Sequence, residues 1–320
     1  MAPKIAVLTS GGDAPGMNPA IRAVVRRGLS KGYRVVGIQR GYAGLLSKQF
    51  TELEIGSVAD IIHRGGTMLL TARAPGMFQP ENQDQAADNL KAEDIEGLVI
   101  IGGGGSFRGA ITLEERGIKT ICIPGTIDND ITGTEVTIGF DTAVNTILSA
   151  VNKLRDTATS HERIFILEVM GRDYGYLALA AGLACGAESI IVPEIEYDLD
   201  EVSGRLLRGI NRQKAHSIIL VAEGAADVYE IKKEIRDRID AEIRVTVLGH
   251  IQRGGSPSAV DRLLGSRMGA AAVDLLQEGK SALFTAIREE KIMALPVKDC
   301  FDAASPFPED LYHLAHDLSQ

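Results

Sequence analysis

Lys4-Ile-Ala-Val-Leu-Thr-Ser-Gly-Gly-Asp-Ala-Pro-Gly16 is the stretch whose reading decides the fold. A short apolar, β-branched run ends in a glycine turn, and apolar residues then recur at helical spacing from Met17 to Lys31. A strand that feeds a helix through glycines opens a parallel sheet with helices on its faces. The pattern repeats along the chain. Candidate strands are Lys4–Thr9, Tyr33–Ile38, Gly97–Ile101, Thr120–Ile123, Arg163–Val169, Ser189–Val192, Ser217–Ala222 and Arg244–Leu248. Candidate helices are Met17–Lys31, Gln83–Lys91, Phe107–Arg116, Thr142–Thr157, Tyr174–Ala184, Leu199–Arg212, Val228–Ile239 and Ser258–Glu278. The expected class is α/β: two lobes, each a mainly parallel sheet covered by helices on both faces. Ala304-Ser-Pro-Phe-Pro308 reads as a turn before a short terminal helix.

With 320 residues the chain is long enough for two cores, and 45% apolar with 24% charged residues is a globular balance. A formal charge of −9 argues against a nucleic-acid partner, which calls for a basic face. Anionic ligands would need arginine and lysine concentrated locally. Cys122, Cys185 and Cys300 are scattered, with neither zinc spacing nor the even count of a disulfide framework, and read as buried apolar side chains in a reducing compartment. No signal-like h-region and no membrane-spanning run stand out, so the expected location is the cytoplasm, with no membrane partner.

Two glycine loops follow strands. The first, at Gly11-Gly12, lacks the Gly-Lys-Ser/Thr of a Walker loop and the GxGxxG fingerprint, and alone it favours anion binding only modestly over a plain turn. The second, Val99-Ile-Ile-Gly-Gly-Gly-Gly-Ser106, restarts a helix at once. Four glycines carry a large entropy cost and make sense where polyphosphate lies against bare backbone. Two such loops at strand C-termini define a ligand crevice. A third loop, Pro124-Gly-Thr-Ile-Asp-Asn-Asp130, places Asp128 and Asp130 around Asn129; one could accept a proton while the other helps hold a metal ion. On spacing alone the pair reads equally well as Asx-turn chemistry. Arg163, Arg172, Arg244, His250 and Arg253 cluster at strand ends, a set matched to a phosphomonoester, although any one of them singly reads as a surface charge.

In combination, Leu8-Thr-Ser-Gly-Gly-Asp-Ala-Pro-Gly-Met-Asn18, Pro124-Gly-Thr-Ile-Asp-Asn-Asp130, Val169-Met-Gly-Arg172 and Leu248-Gly-His-Ile-Gln-Arg-Gly-Gly-Ser-Pro257 resemble the bacterial ATP-dependent 6-phosphofructokinases over about the first 280 residues. The resemblance implies a larger ATP-binding lobe from 1–138 plus 251–301 and a smaller sugar-phosphate lobe from 139–250 plus 302–320. It implies Asp128 as general base for the 1-hydroxyl of fructose 6-phosphate, with Thr126 and Arg172 as further catalytic residues. Thr126, Ile127, Met170, Gly171 and Glu223 would hold the sugar. Its 6-phosphate would meet His250, Ile251, Gln252 and Arg253 from one subunit and Arg163 and Arg244 from a neighbour, in a homotetramer. Gly12, Arg73, Ala74 and the Gly103-Gly104-Gly105-Ser106 loop would face ATP as co-substrate, with Mg²⁺ as cofactor. Gly105 and Gly125 match ATP users, whereas pyrophosphate users place Asp and Lys there.

Two departures stand out. The family's metal-holding Asp in the ATP loop is Gly104 here, which leaves Asp130 to serve the ion. Arg22, Arg26, Arg155, Gly186, Glu188, Arg212 and Lys214 match the family's pocket for a nucleotide or phosphoenolpyruvate-type effector, but Ile55 and Gly56 stand where Arg and Tyr are known. Tyr176 occupies a position where Asp is frequent. The leading expectation is phosphorylation of fructose 6-phosphate in glycolysis, at normal or reduced rate. The rival is a weakly active or inactive paralogue that binds sugar phosphate and nucleotide as a sensor or partner subunit.

Overall fold

The computed structural model describes residues 2–301 and 307–319. In chain order the elements are β1 Lys4–Ser10, α1 Met17–Ser30, β2 Arg34–Ile38, α2 Gly41–Leu46, β3 Phe50–Leu53, α3 Pro80–Ala92, β4 Ile95–Gly102, α4 Gly104–Glu114 and β5 Lys119–Pro124. Then come α5 Phe140–His161, β6 Ile164–Val169, α6 Tyr176–Cys185, β7 Ser189–Ile191, α7 Leu199–Asn211, β8 Ser217–Ala222, α8 Val228–Arg238 and β9 Ile243–Val247. The last are α9 Ala259–Gln277, β10 Leu283–Arg288, β11 Lys291–Pro296 and α10 Glu309–Leu318. They form two compact units, Met1–Thr142 with Arg253–Ser305, and Ala143–Gln252 with Pro306–Gln320.

The first unit holds a seven-stranded sheet in the order β11-β10-β5-β4-β1-β2-β3. Its inner pairs are parallel, as Val7↔Val99 and Val99↔Ile121 illustrate, with one register shift between Lys4 and Ile5 where β1 meets β4. Both edges are antiparallel hairpin partners, β2 with β3 and β10 with β11. One face of the sheet (Ala6, Leu8, Leu98, Ile100, Cys122, Phe284) packs with Tyr42, Leu90, Phe107 and Leu113 of α2, α3 and α4 into one core. The other face carries α1 and α9: the Cβ position at Gly28 meets Ile5 and Val35, and that at Gly97 meets Leu276. Alternation of the two faces along fully buried strands is why β4 reads as an unbroken apolar run.

The second unit has four parallel strands in the order β7-β8-β6-β9. Ile164, Ile166, Ile219 and Val221 pack against Leu206 of α7 and Ile231 and Ile235 of α8. β3, β10, β11 and α2 are absent from the sequence-derived list. β3 and β11 have exposed, polar or broken patterns, and α2 spans only one and a half turns with two glycines. Residues 304–306 of the expected turn lie outside the described residues, whereas the terminal helix is α10. No helix among the described residues is long and apolar enough to cross a membrane.

Candidate active site

Three loops at the C-terminal ends of β1, β4 and β5 meet in the first unit. Gly102 closes the first contact: a Cβ there would overlap the Ser10 carbonyl oxygen and stand 2.6 Å from Ser106 Oγ. A Cβ at Gly11, whose φ is +88°, would lie 3.5 Å from the same hydroxyl. At Gly103 the Cβ position is 3.7 Å from Thr126 Cβ, which sets the Asp128 loop beside the glycine loop. α4 starts at Gly104, so its free N–H groups and positive dipole end open at this point. Segment 67–73 is strapped alongside. Thr9 Oγ1 donates to Leu70 O at 2.8 Å, Thr71 Oγ1 donates to Gly11 O at 2.7 Å, and Asn18 Oδ1 accepts from Met68 N at 2.7 Å. These straps hold exposed Arg73, with Ala74 behind it, next to the Gly11 loop. Arg253 lies against Gly12 so closely that a Cβ at Gly12 would overlap Arg253 Nη1. Its Nε is buried with no hydrogen-bond partner among the described residues.

The loop from Gly125 to Gly139 is stapled from within. Ile138 N donates to Pro124 O at 3.0 Å, Thr137 Oγ1 donates to Thr126 O at 2.6 Å, and Asp128 N donates to Thr126 Oγ1 at 3.2 Å. Asn129 adopts the left-handed region at φ +54°, which asparagine tolerates. Its Oδ1 accepts from Thr137 N at 2.8 Å and its Nδ2 donates to Glu135 O at 3.3 Å. The turn at Asn129 leaves Asp128 buried, Ile127 buried beneath it and Asp130 half-buried. A buried carboxylate on a braced loop, next to a glycine-lined helix N-terminus, is suited to take a proton from a hydroxyl as it attacks a phosphorus.

In the second unit, Met170-Gly171-Arg172 leaves β6 through a turn that only glycine permits. Gly171 has φ +142°, and a side chain there would overlap the Tyr174 carbonyl oxygen. Met170 N donates to Oε1 of fully buried Gln252 at 3.2 Å, and Gln252 Nε2 donates to Gly249 O at 3.0 Å. Arg172, also left-handed at φ +57°, donates its N–H to Glu223 Oε1 at 2.8 Å, and Glu223 N donates to Val169 O. Met170, Gly171, Arg172, Glu223 and Gln252 are thus brought together, with His250 and Ile251 exposed on the adjoining turn. Glu168 on β6 has its carboxyl pushed above the usual range, by burial first and then by Glu223 and Asp227. Arg163 and Arg244 are not part of this group. They stand at the opposite ends of β6 and β9, a strand length or about 20 Å away, where Glu242 pairs with both.

Residues 4–276 match the phosphofructokinase family. The chain belongs to that family. A protein of Natranaerobius thermophilus named ATP-dependent 6-phosphofructokinase is 55% identical over 316 residues, covering 99% of each chain. One of the same name from Bacillus cytotoxicus is 54% identical, again over 99% of each. The structure of phosphofructokinase from Saccharomyces cerevisiae superposes with a TM-score of 0.90 at 34% identity, covering 99% of this chain and 48% of that one. The chain therefore spans about half the yeast protein's length.

Within the family, Gly104 is the notable position. A Cβ at Gly104 would make ordinary contacts, 3.7 Å from Phe301 Cε1 and 3.8 Å from Ile131 Cδ1, so the space beside it is apolar and open to a small side chain. Arg108, one turn further along α4, lies 4.8 Å over the Phe301 ring. No group of three His, Cys, Asp or Glu poised for a metal occurs among the described residues. Mg²⁺ needs only one or two carboxylates when phosphates supply the rest, and Asp128 and Asp130 are hard oxygen donors in one turn, so the donor set fits the ion. Gly105 faces open space, whereas a side chain at Gly125 would press on Ile101 and Met17 at 3.0 and 3.2 Å.

Of the effector matches, Arg22 and Arg26 lie on α1 in the first unit and Ile55 is well exposed. In the second unit Arg155 Nη2 donates to Cys185 O beside Gly186, and buried Glu188 accepts from Ile218 N and pairs with Lys214. Glu188, Arg212 and Lys214 line a cavity of about 80 Å³ with Arg205, Arg208 and Ser319. Tyr176 gains a physical account: it is buried, stacks on Tyr174 at 5.7 Å and leads through Phe307 to Tyr312 of α10. The sequence reading missed Asn18, Asn129, Thr137 and Asp261. Asn129, between two aspartates, and the Ser258-x-x-Asp261 pattern ahead of an apolar helix were the available signals.

Proposed function

We propose that the chain transfers the γ-phosphoryl group of ATP to the 1-hydroxyl of fructose 6-phosphate, giving fructose 1,6-bisphosphate and ADP, the glycolytic reaction named in its relatives. The observation that carries the reading is the buried carboxylate of Asp128 on a stapled loop beside the Gly103–Ser106 turn. The hydroxyl forms its O–P bond as its proton passes to Asp128, and the bond to the β-phosphate oxygen breaks with ADP departing. Little covalent help is required, so positioning and charge neutralisation supply most of the rate. Gly12, Arg73, Ala74 and the N-terminus of α4 bind the triphosphate. Met170, Gly171, Arg172 and Glu223 bind the sugar, and His250 and Arg253 its phosphate.

Asp130 would hold Mg²⁺ together with phosphate oxygens, and Asp128 stands close enough in sequence to share that task. When bound, the ion neutralises charge on the β- and γ-phosphates. Arg163 and Arg244, at the far ends of their strands, serve a neighbouring subunit's sugar phosphate, which makes the working form an oligomer, a homotetramer on the family's pattern. The cationic cavity at Arg212 and Lys214 takes an anionic effector of nucleotide or phosphoenolpyruvate type. The first unit is then the ATP-binding domain and the second the sugar-phosphate domain. The apolar surroundings of Gly104 favour a reduced rate.

A steady-state assay with ATP, Mg²⁺ and fructose 6-phosphate tests the reading. Turnover with ATP and none with pyrophosphate is expected. Calorimetric binding of both ligands without turnover would replace the kinase by a sensor.

A further inference from the structure

Asp261 lies in the first turn of α9, fully buried, just past the Leu248–Pro257 motif and outside every motif assigned to the reaction. Its Oδ1 accepts from Gly139 N at 2.8 Å, and its Oδ2 accepts from Thr142 N at 2.8 Å and from Thr142 Oγ1 at 2.5 Å. Gly139 precedes α5 and Thr142 is its third residue, so Asp261 occupies two of the N–H groups that a helix start leaves open. Thr142 returns the favour. Its Oγ1 accepts from Ser258 N at 2.9 Å, and Ser258 is the N-cap of α9, whose own side chain accepts from Asp261 N. In an ordinary capping box these exchanges stay within one helix. Here two helix starts, separated by 119 residues in the Asp261–Thr142 pair, cap each other.

One of these starts is the end of the catalytic loop. Ile138, next to Gly139, donates to Pro124 O, and Thr137 donates both to Thr126 O, through Oγ1, and to Asn129 Oδ1, through its N–H. The other start stands on a fixed platform. α9 packs on α1 so closely that a Cβ at Gly265 would come within 2.9 Å of the carbonyl oxygen of Gly16, the N-cap of α1, and one at Gly269 within 2.6 Å of that of Ala20, and Arg27 grips Asp274 with two bonds of 2.9 Å. Burial pushes the Asp261 carboxyl above its ordinary range, against three hydrogen bonds that favour its charge. A charged group is thus kept in the interior at a desolvation cost that an apolar side chain would not incur.

We propose that Asp261 is a positioning residue for phosphoryl transfer: by capping α5 from α9, it fixes the return limb of the Gly125–Gly139 loop and with it the placement of Asp128. The inference rests on the kinase reading above. Misplacement of a reacting group by about 1 Å costs on the order of 10²-fold in rate, so loosening one tether is expected to lower kcat by about 10- to 100-fold.

Steady-state kinetics of the full chain and of Asp261→Asn, Thr142→Val, Thr142→Ser and Asp274→Asn test this. Asp261→Asn points an amide at N–H donors, and Thr142→Val deletes the shared hydroxyl while Thr142→Ser keeps it. The expected result is a lower kcat in the first two, at temperatures where circular dichroism reports a folded protein, with KM for ATP unchanged and the serine variant close to the parent. Asp274→Asn, which opens the α1–α9 ion pair, should lower the thermal midpoint and leave kcat alone. Parental kcat in folded Asp261→Asn and Thr142→Val would overturn the proposal, as would an equal loss in Asp274→Asn. If Asp261→Asn does not fold, Thr142→Val decides. A parent without turnover would refute the kinase reading instead. The tether is then judged by amide exchange over residues 126–138, where no acceleration in Asp261→Asn beyond that in Asp274→Asn overturns it.

Discussion

Gly104→Asp is the substitution with the clearest calculable outcome. The position opens α4 with an ordinary backbone conformation, and its Cβ would meet Phe301 and Ile131 at 3.7 and 3.8 Å, so a Cβ is accepted there without a clash. An acidic residue at a helix start gains about 0.3–1 kcal/mol from the dipole, and replacing glycine in a helix adds a few tenths. The thermal midpoint should hold or rise by about 1–4 °C. The larger effect concerns the reaction. Deleting one preorganised electrostatic group in other enzymes costs about 10²–10³ in kcat. On the proposed reading, in which the triphosphate and metal lie at this helix start, a carboxylate there should raise kcat, with that factor as the ceiling and a smaller gain if Asp130 holds the ion.

Arg108 opposes the gain. It stands four residues on, and an exposed pair of that spacing is worth about 0.3–0.5 kcal/mol, less than a factor of about three in availability of the new carboxylate. Arg108→Met keeps an apolar stem against Phe301 and removes the competitor. The double variant should exceed Gly104→Asp by that small factor. Initial rates against Mg²⁺ at saturating ATP and fructose 6-phosphate would show a higher kcat and half-saturation at lower Mg²⁺. An unchanged kcat together with an unchanged Mg²⁺ profile in the single and double variants would refute the reasoning and leave Asp130 as a sufficient ligand.

Gly12→Ala should carry a phenotype on the other substrate. The added Cβ overlaps Arg253 Nη1, so the guanidinium must swing away, and on the proposed reading it loses its approach to the sugar phosphate. A charge-assisted hydrogen bond is worth about 1.5–3 kcal/mol, so KM for fructose 6-phosphate should rise by roughly 10- to 150-fold, alongside any change in KM for ATP. An effect confined to ATP would contradict the placement. A pH prediction follows from Glu168. Its raised pKa means that the folded chain holds a proton which the unfolded chain has released, so stability declines as pH rises from the ordinary value of 4.5 through the raised one. In Glu168→Gln the thermal midpoint should decline less across that window, and parallel curves for the two proteins would count against it.

Most of the fold is legible in the sequence because its strands are buried on both faces. Runs such as those at Ala6–Leu8, Leu98–Ile101 and Ser217–Ala222 have no solvent side to dilute the signal. The edge strands escape for the converse reason: β11 has only exposed and half-buried residues, without strict alternation, and is held by pairing with β10. Glycine loops, the Asp128 motif and Met170-Gly171-Arg172 are readable because each needs a residue type that little else explains. Gly171 is required by the Tyr174 carbonyl and Gly102 by that of Ser10. What sequence does not convey is which distant groups meet. Arg253 reads as a sugar-phosphate residue and packs on Gly12. Asp261 carries no signal of its partner: it binds the start of another helix, 119 residues away at Thr142. Tyr176 is opaque alone and becomes one member of an aromatic series that ends in α10.

The proton acceptor is where the whole account is most exposed. Phosphorus NMR of the parent with ATP, Mg²⁺ and fructose 6-phosphate should show a new phosphomonoester at the 1-position and ADP. Asp128→Asn should form the same product with kcat lowered by about 10²–10⁴ while calorimetry finds fructose 6-phosphate still bound. Turnover by Asp128→Asn at the parental rate would contradict the account.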